Sequence, residues 1–89
     1  MKNNTVERRI KPGDVVLHFK GKCYKVLNIA EHVDGGKLVI YMSLYEPYKI
    51  WARDYEEFTS EVDTNKYPEV SQRYRFEVMA EEGGEFNGI

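Results

Sequence analysis

From Val15 to Phe58 the chain runs in short stretches that alternate apolar and polar side chains, each stopped by glycine, proline or a polar pair. Alternation with period two puts successive side chains on opposite faces of an extended backbone, where a helix would need apolar residues three and four apart. Such a chain is a set of short strands that must bury a shared face.

The turns divide the strands. Pro12-Gly13-Asp14 launches the first, over Val15 to Phe19, with Val15, Leu17 and Phe19 on one face and Val16 and His18 on the other. Lys20-Gly21 is expected as a two-residue hairpin turn, glycine supplying the positive φ. That register pairs Phe19 with Lys22 and sets His18 opposite Cys23. The second strand, about Lys22 to His32, changes parity. Tyr24 and Val26 alternate inward, then Leu27 and Ile29 continue the apolar series, which requires a bulge near Leu27-Asn28. Asp34-Gly35-Gly36 is the clearest turn.

Lys37 to Tyr45 carries bulky groups on both faces, Leu38, Ile40, Met42 and Leu44 against Val39, Tyr41, Ser43 and Tyr45, as a central strand does. Glu46-Pro47 ends it. Ile50 to Arg53 makes a fourth strand with Trp51 and Arg53 on one face. Asp54 is placed as the N-cap of one helical turn that packs Phe58 inward. Arg73 to Val78, with Tyr74, Phe76 and Val78 on one side, is expected to close the sheet. The result is a mainly β fold, a small antiparallel SH3-like barrel or roll of about five strands with one short helical turn near 54–58. An open five-stranded OB-like barrel is the alternative. Residues 12–79 are expected to form a single domain, 1–11 a flexible arm, and the Gly- and Glu-rich 80–89 a disordered tail.

Eighty-nine residues allow one small core, and seven Tyr, four Phe and one Trp supply its bulk. The single cysteine, Cys23, excludes an intrachain disulfide. No apolar run approaches the ~20 residues of a membrane span, and the polar start lacks the apolar core of a signal peptide. A cytoplasmic location is therefore expected. The net charge of −2 hides an asymmetry: residues 1–25 carry seven basic side chains against two acidic, and the remainder six against thirteen. A duplex-binding protein shows a dominant basic field, so nucleic acid is disfavoured as a non-specific partner, while the positive N-terminal part keeps it from exclusion.

The motifs resemble one family. Leu17-His18-Phe19-Lys20-Gly21 followed by Tyr24 and Val26, then Ile29-Ala30 and His32, Val39-Ile40-Tyr41 with Leu44-Tyr45, Ile50-Trp51-Ala52-Arg53 with Glu56 and Phe58, and Arg75-Phe76 follow in order the pattern of domain of unknown function 1653, a bacterial family. Glu31 stands where that family usually has Arg, and Asp54 where it has Pro. The resemblance implies an SH3-type barrel and a set of positions; it implies no reaction.

Four groupings could carry chemistry. His18 beside Cys23 would have the parts of a nucleophilic dyad, but no third group or oxyanion site accompanies them. His18 and His32 with Glu31 or Asp34 lack the dense spacing of a metal site, and a structural role for the rings is expected. The lysines at 20, 22 and 25, with Arg8, Arg9 and Lys11, could touch phosphates or simply solvate a sheet edge. Tyr41, Tyr45, Trp51 and Arg53 share adjoining strand faces, where rings flanking a guanidinium make a platform for a carboxylate, phosphate, base or peptide. Against this, Trp51 could be a core plug and Arg53 the partner of Glu56 or Glu57.

The expectation is thus a non-catalytic binding or adaptor module whose ligand face comprises His18, Tyr41, Tyr45, Trp51 and Arg53. It would have no metal and no cofactor, its partner would be a small molecule, peptide or protein, and it would be a monomer or weak dimer off the membrane. Two competing classes are a nucleic-acid-binding accessory domain and an enzyme using His18 with a carboxylate such as Glu56.

Overall fold

A computed structural model of the protein describes residues 9–80. Five strands, β1 (Val15–His18), β2 (Cys23–Glu31), β3 (Lys37–Ser43), β4 (Ile50–Asp54) and β5 (Phe76–Ala80), form one antiparallel sheet in the order β4-β3-β2-β1-β5. A single turn of helix, α1 (Tyr55–Phe58), follows β4. Because the last strand joins β1 and not β4, the sheet is not sealed into a barrel; it curls into a roll with β4 and β5 at its edges.

The expected bulge is present. Val26 pairs with Tyr41 and Asn28 with Ile40, so Leu27 is the extra residue and the apolar parity switches there. Before the bulge Tyr24 and Val26 face inward, and after it Ile29 does, packed on the core.

The first hairpin differs from expectation by one residue. Leu17 pairs with Cys23, and the His18 N–H donates to the Lys22 carbonyl at 2.8 Å. The loop is therefore three residues, Phe19-Lys20-Gly21, closed by the Gly21 N–H on the His18 carbonyl at 2.8 Å, with Gly21 at φ 102°. A one-residue slip exchanges sheet faces. His18 faces the core side with Val16, and Cys23 lies on the outer face, its Sγ 3.7 Å from Met79 Sδ. The His18–Cys23 pairing is thereby corrected.

Three further boundaries shift. Regular pairing in β3 stops at Ser43, and Leu44 and Tyr45 enter the turn through the cis Glu46–Pro47 peptide. Asp54 precedes α1 but makes no side-chain cap; it ends β4, paired with Leu38. The last strand begins at Phe76, because Arg73 and Arg75 pair instead with the segment after α1: the Val62 N–H reaches the Arg73 carbonyl and the Arg75 N–H the Ser60 carbonyl.

Val16, Val26, Val39, Phe58 and Phe76 are buried to 1% exposure or less. Phe58 and Phe76 stack at 4.0 Å, and Tyr41 meets both edge-on. Each such ring contributes about 1.5–3 kcal/mol by leaving water. Ile10, at the described end of the segment expected as an arm, is also in the core, and its N–H donates to the Tyr55 hydroxyl. Residues 1–8 of that arm, and the tail beyond Ala80, lie outside the described residues. Asp14, 1% exposed, holds the Lys11–Asp14 turn by accepting from the Lys11 N–H at 3.0 Å and from Lys11 Nζ at 3.2 Å.

Candidate functional site

Register decides what meets on the inner face of β3 and β4. Trp51 lies opposite Tyr41, and Arg53 opposite Val39. Side chains opposite or diagonal across such a pair can touch, and these do. Arg53 Nε donates to the Tyr41 hydroxyl at 3.2 Å, while Nη1 sits 3.4 Å from a Glu57 carboxylate oxygen. Nη2 has no partner among the described residues.

Trp51 Nε1 donates to Ser43 Oγ at 3.0 Å, and the ring remains 43% exposed. Trp51 is therefore not a core plug, because its position near the β4 edge leaves one ring face in water. The pairing of Arg53 with Glu57 is present as well.

Tyr45 hangs beyond the end of β3 and shares a 2.8 Å hydroxyl contact with Tyr24, whose ring it meets edge-on at 5.7 Å. Burial and the Tyr45 hydrogen bond push Tyr24 up, and the bond from Tyr24, assisted by Ser43 and Lys22, pulls Tyr45 down against a smaller opposing effect of its own desolvation. Either hydroxyl can donate in this bond, and it ties the two rings together whichever does.

His18 reaches the same surface from β1. Its ring is 4.5 Å from Phe19, 4.9 Å from Phe76 and 6.2 Å from Tyr24. Nδ1 accepts the Lys20 N–H at 3.1 Å, so the neutral ring carries its proton on Nε2. Burial, and then Arg75, Arg53 and Lys20, lower its pKa from 6.5 to about 4. His18 is thus a neutral donor in a positive field.

Tyr24 joins three of the five expected residues: it touches His18, Tyr41 and Tyr45. Its inward parity and place beside Val26 marked it as core, which concealed its role as a bridge. Tyr67 is a second omission. It belongs to an irregular loop without periodicity and arrives against Phe19 at 4.9 Å.

The other sequence-level groupings are not assembled. Glu56 lines a concavity with Ile10, Ile29, Gly36 and Lys37, at the end of the sheet away from His18. His18 and Glu56 therefore form no acid–base pair. His32 Nδ1 accepts the Asp34 N–H at 3.0 Å, a turn-closing role, and no group of three or more His, Cys, Asp or Glu that could hold a metal occurs among the described residues.

Two adjoining concavities of about 420 and 520 Å³ occupy that α1 end, and a third of about 360 Å³ lies between Arg9, Ile10 and β5. None of the three is lined by His18, Tyr41, Tyr45, Trp51 or Arg53. The ring-bearing surface is a platform and not one of these hollows. No helix among the described residues is long and apolar enough to cross a membrane.

A family model described as Protein of unknown function (DUF1653) matches residues 14–78. No curated protein and no solved structure matches the chain.

Proposed function

The chain belongs to the DUF1653 family, whose description carries no activity, and we propose from its own geometry that it is a non-catalytic binding module of the reducing cytoplasm. Its strand order, with a helical turn ahead of the last strand, supports reading it as an SH3-like roll, a framework that recognises extended ligands on aromatic surfaces. The recognition face consists of His18, Tyr41, Tyr45, Trp51 and Arg53, bridged by Tyr24.

One observation carries the reading. Arg53 is held by Tyr41 and Glu57 while Nη2 has no partner among the described residues; it shares its strand face with the half-exposed Trp51, and its charge reaches the neutral His18 ring. A guanidinium already fixed loses little freedom on meeting an anion, and ring faces add contact area at low entropy cost. Arg53 and His18 Nε2–H would orient an anionic or carbonyl oxygen, and Trp51 and Tyr45 would cover an attached planar group.

Phenyl phosphate joins those two features in one small probe. Titrated into the isotope-labelled protein, it is expected to move the Trp51 indole and Arg53 Nε signals together with Tyr45, and phenol and inorganic phosphate to move them less. Arg53→Ala, still folded, is expected to weaken the response at least fivefold. Undiminished affinity in that variant, or shifts confined to Gly35–Lys37 and Glu56, would reject the face.

A further inference from the structure

Eight of the eleven described lysines and arginines fall into two groups by what they touch, and Arg73, in the first, also lies 5.2 Å from the Tyr74 ring centre. Lys11, Lys37, Arg53 and Arg73 each lie within 3.8 Å of a carboxylate, of Asp14, Glu31, Glu57 and Glu61 in turn. Lys20, Lys22, Lys49 and Lys66 meet no carboxylate among the described residues and lie instead over rings. Lys49 Nζ is 5.5 Å from the centre of Trp51, Lys22 Nζ is 4.8 Å from Tyr45, and Lys20 and Lys66 are 5.4 and 5.5 Å from Tyr67.

These four come from three separate loops that the antiparallel meander brings to one end of the sheet: Phe19-Lys20-Gly21 with Lys22, the β3–β4 turn, and the segment between α1 and β5. Ring contacts join the loops into a continuous track. Tyr67 meets Phe19 at 4.9 Å, Phe19 meets His18 at 4.5 Å, His18 meets Tyr24 at 6.2 Å, and Tyr24 meets Tyr45 at 5.7 Å. Trp51 adjoins through Ser43.

We infer that this track binds single-stranded nucleic acid, with bases stacking on Trp51, Tyr45 and Tyr67 and phosphates taken by Lys20, Lys22, Lys49 and Lys66. The inference rests on the recognition face proposed above and names its ligand. An ammonium over a ring occupies the surface a base would use. An arriving base displaces it, and the ammonium, held by no carboxylate, moves onto the adjacent phosphate. Charge neutralisation and stacking are then gained together, the combination that sequence-tolerant single-strand binders use. A duplex keeps its bases inside, so it can use the lysines and not the rings. An acidic peptide has the charge without the π faces. Of the described carboxylates, Glu31, Asp34, Asp54, Glu56 and Glu57 lie towards the other end of the sheet, while Glu46 and Asp63 share the loops of Lys49 and Lys66 without pairing with their ammonium groups.

The test is titration of the full chain with a fluorescently labelled oligothymidylate of about eight nucleotides, followed by anisotropy and by Trp51 emission. Saturable binding with quenching of Trp51 is expected. Four neutralised phosphates give a log–log salt slope of about −3. Tyr45→Ala and Tyr67→Ala should each lower affinity about tenfold, as removal of a stacking platform does. Replacing the four lysines together by Gln should abolish binding. Lys25→Gln, on the outer sheet face, should leave it unchanged.

A duplex of the same length should bind at least tenfold more weakly. Absence of binding at low salt, equal affinity for the duplex, or unaltered binding by the four-lysine variant would each overturn the inference. Polyglutamate that perturbs the same residues while the oligonucleotide does not would also overturn it yet leave the recognition face standing. If phenyl phosphate fails as well, the face itself falls.

Discussion

At the α1 end of the sheet Lys11 and Lys37 each reach a carboxylate, whereas at the opposite end Lys20, Lys22, Lys49 and Lys66 rest on aromatic rings. The two arrangements differ little in stability. An exposed ion pair contributes about 0–1 kcal/mol and an exposed cation–π contact about 0.5–1 kcal/mol. They differ in the field they leave behind. A carboxylate cancels the positive charge locally, while a ring leaves it whole and exchangeable. Binding potential therefore resides in how a charge is partnered, and the net charge of the chain conceals it.

Both ends rest on the same stacked rings, so the contrast holds only while that platform does. Phe58→Ala removes a side chain with 0% exposure from its stack with Phe76, and a loss of about 3–5 kcal/mol is expected in urea unfolding. A loss below about 1 kcal/mol would mean that the two ends are supported independently.

The next largest effect separates the ends directly. Asp14→Ala strips two hydrogen bonds from a buried turn, and about 1–3 kcal/mol should be lost. Lys22→Ala, over the Tyr45 ring, should cost no more than about 1 kcal/mol. Equal costs in the same unfolding assay would mean that the buried Asp14 contributes no more than an exposed contact.

A pH series sharpens it further. The folded-state pKa of His18 is about 4 against 6.5 when unfolded, so between those values the unfolded chain holds a proton that the folded chain lacks. Stability present at neutral pH is then lost as pH falls from about 6.5 towards 4. The full shift would amount to about 3 kcal/mol, and solvent screening of a partly exposed ring leaves about 1–2 kcal/mol. His18→Asn should flatten that part of the profile; an unchanged profile would show that neither burial nor the positive field depresses the ring.

The smallest effect concerns Trp51. Trp51→Phe breaks the bond to Ser43 at a half-exposed site and should cost about 1 kcal/mol. A loss of about 3 kcal/mol or more would restore the core-plug reading and withdraw the ring from the binding track.

Much of the framework was legible in the residues because period two is unforgiving. The bulge at Leu27, the two-faced β3 and the shared face of Trp51 and Arg53 all follow from parity along one strand, and the inward Phe58 from the helical turn where that parity breaks. The first hairpin was misread because Lys20-Gly21 suits a two-residue turn and a three-residue loop equally well. The slip moved Cys23 away from His18. Asp54 has the chemistry of a cap, but strand pairing claimed its backbone first.

Of the candidate face, the sequence disclosed which side chains leave the same side of a strand. It could not disclose which loops would meet. Tyr67 reaches Phe19 across forty-eight positions, and Arg75 and Lys20 converge on His18 from different loops. Nothing local encodes such encounters. Whether a lysine ends on a carboxylate or on a ring is likewise settled by neighbours distant in the chain, since contacts worth about 1 kcal/mol are too weak to steer folding and simply form where packing of the core delivers them. Alternation and turns determined the strands and their faces; the long-range packing of three loops alone decided where uncancelled charge and open rings coincide.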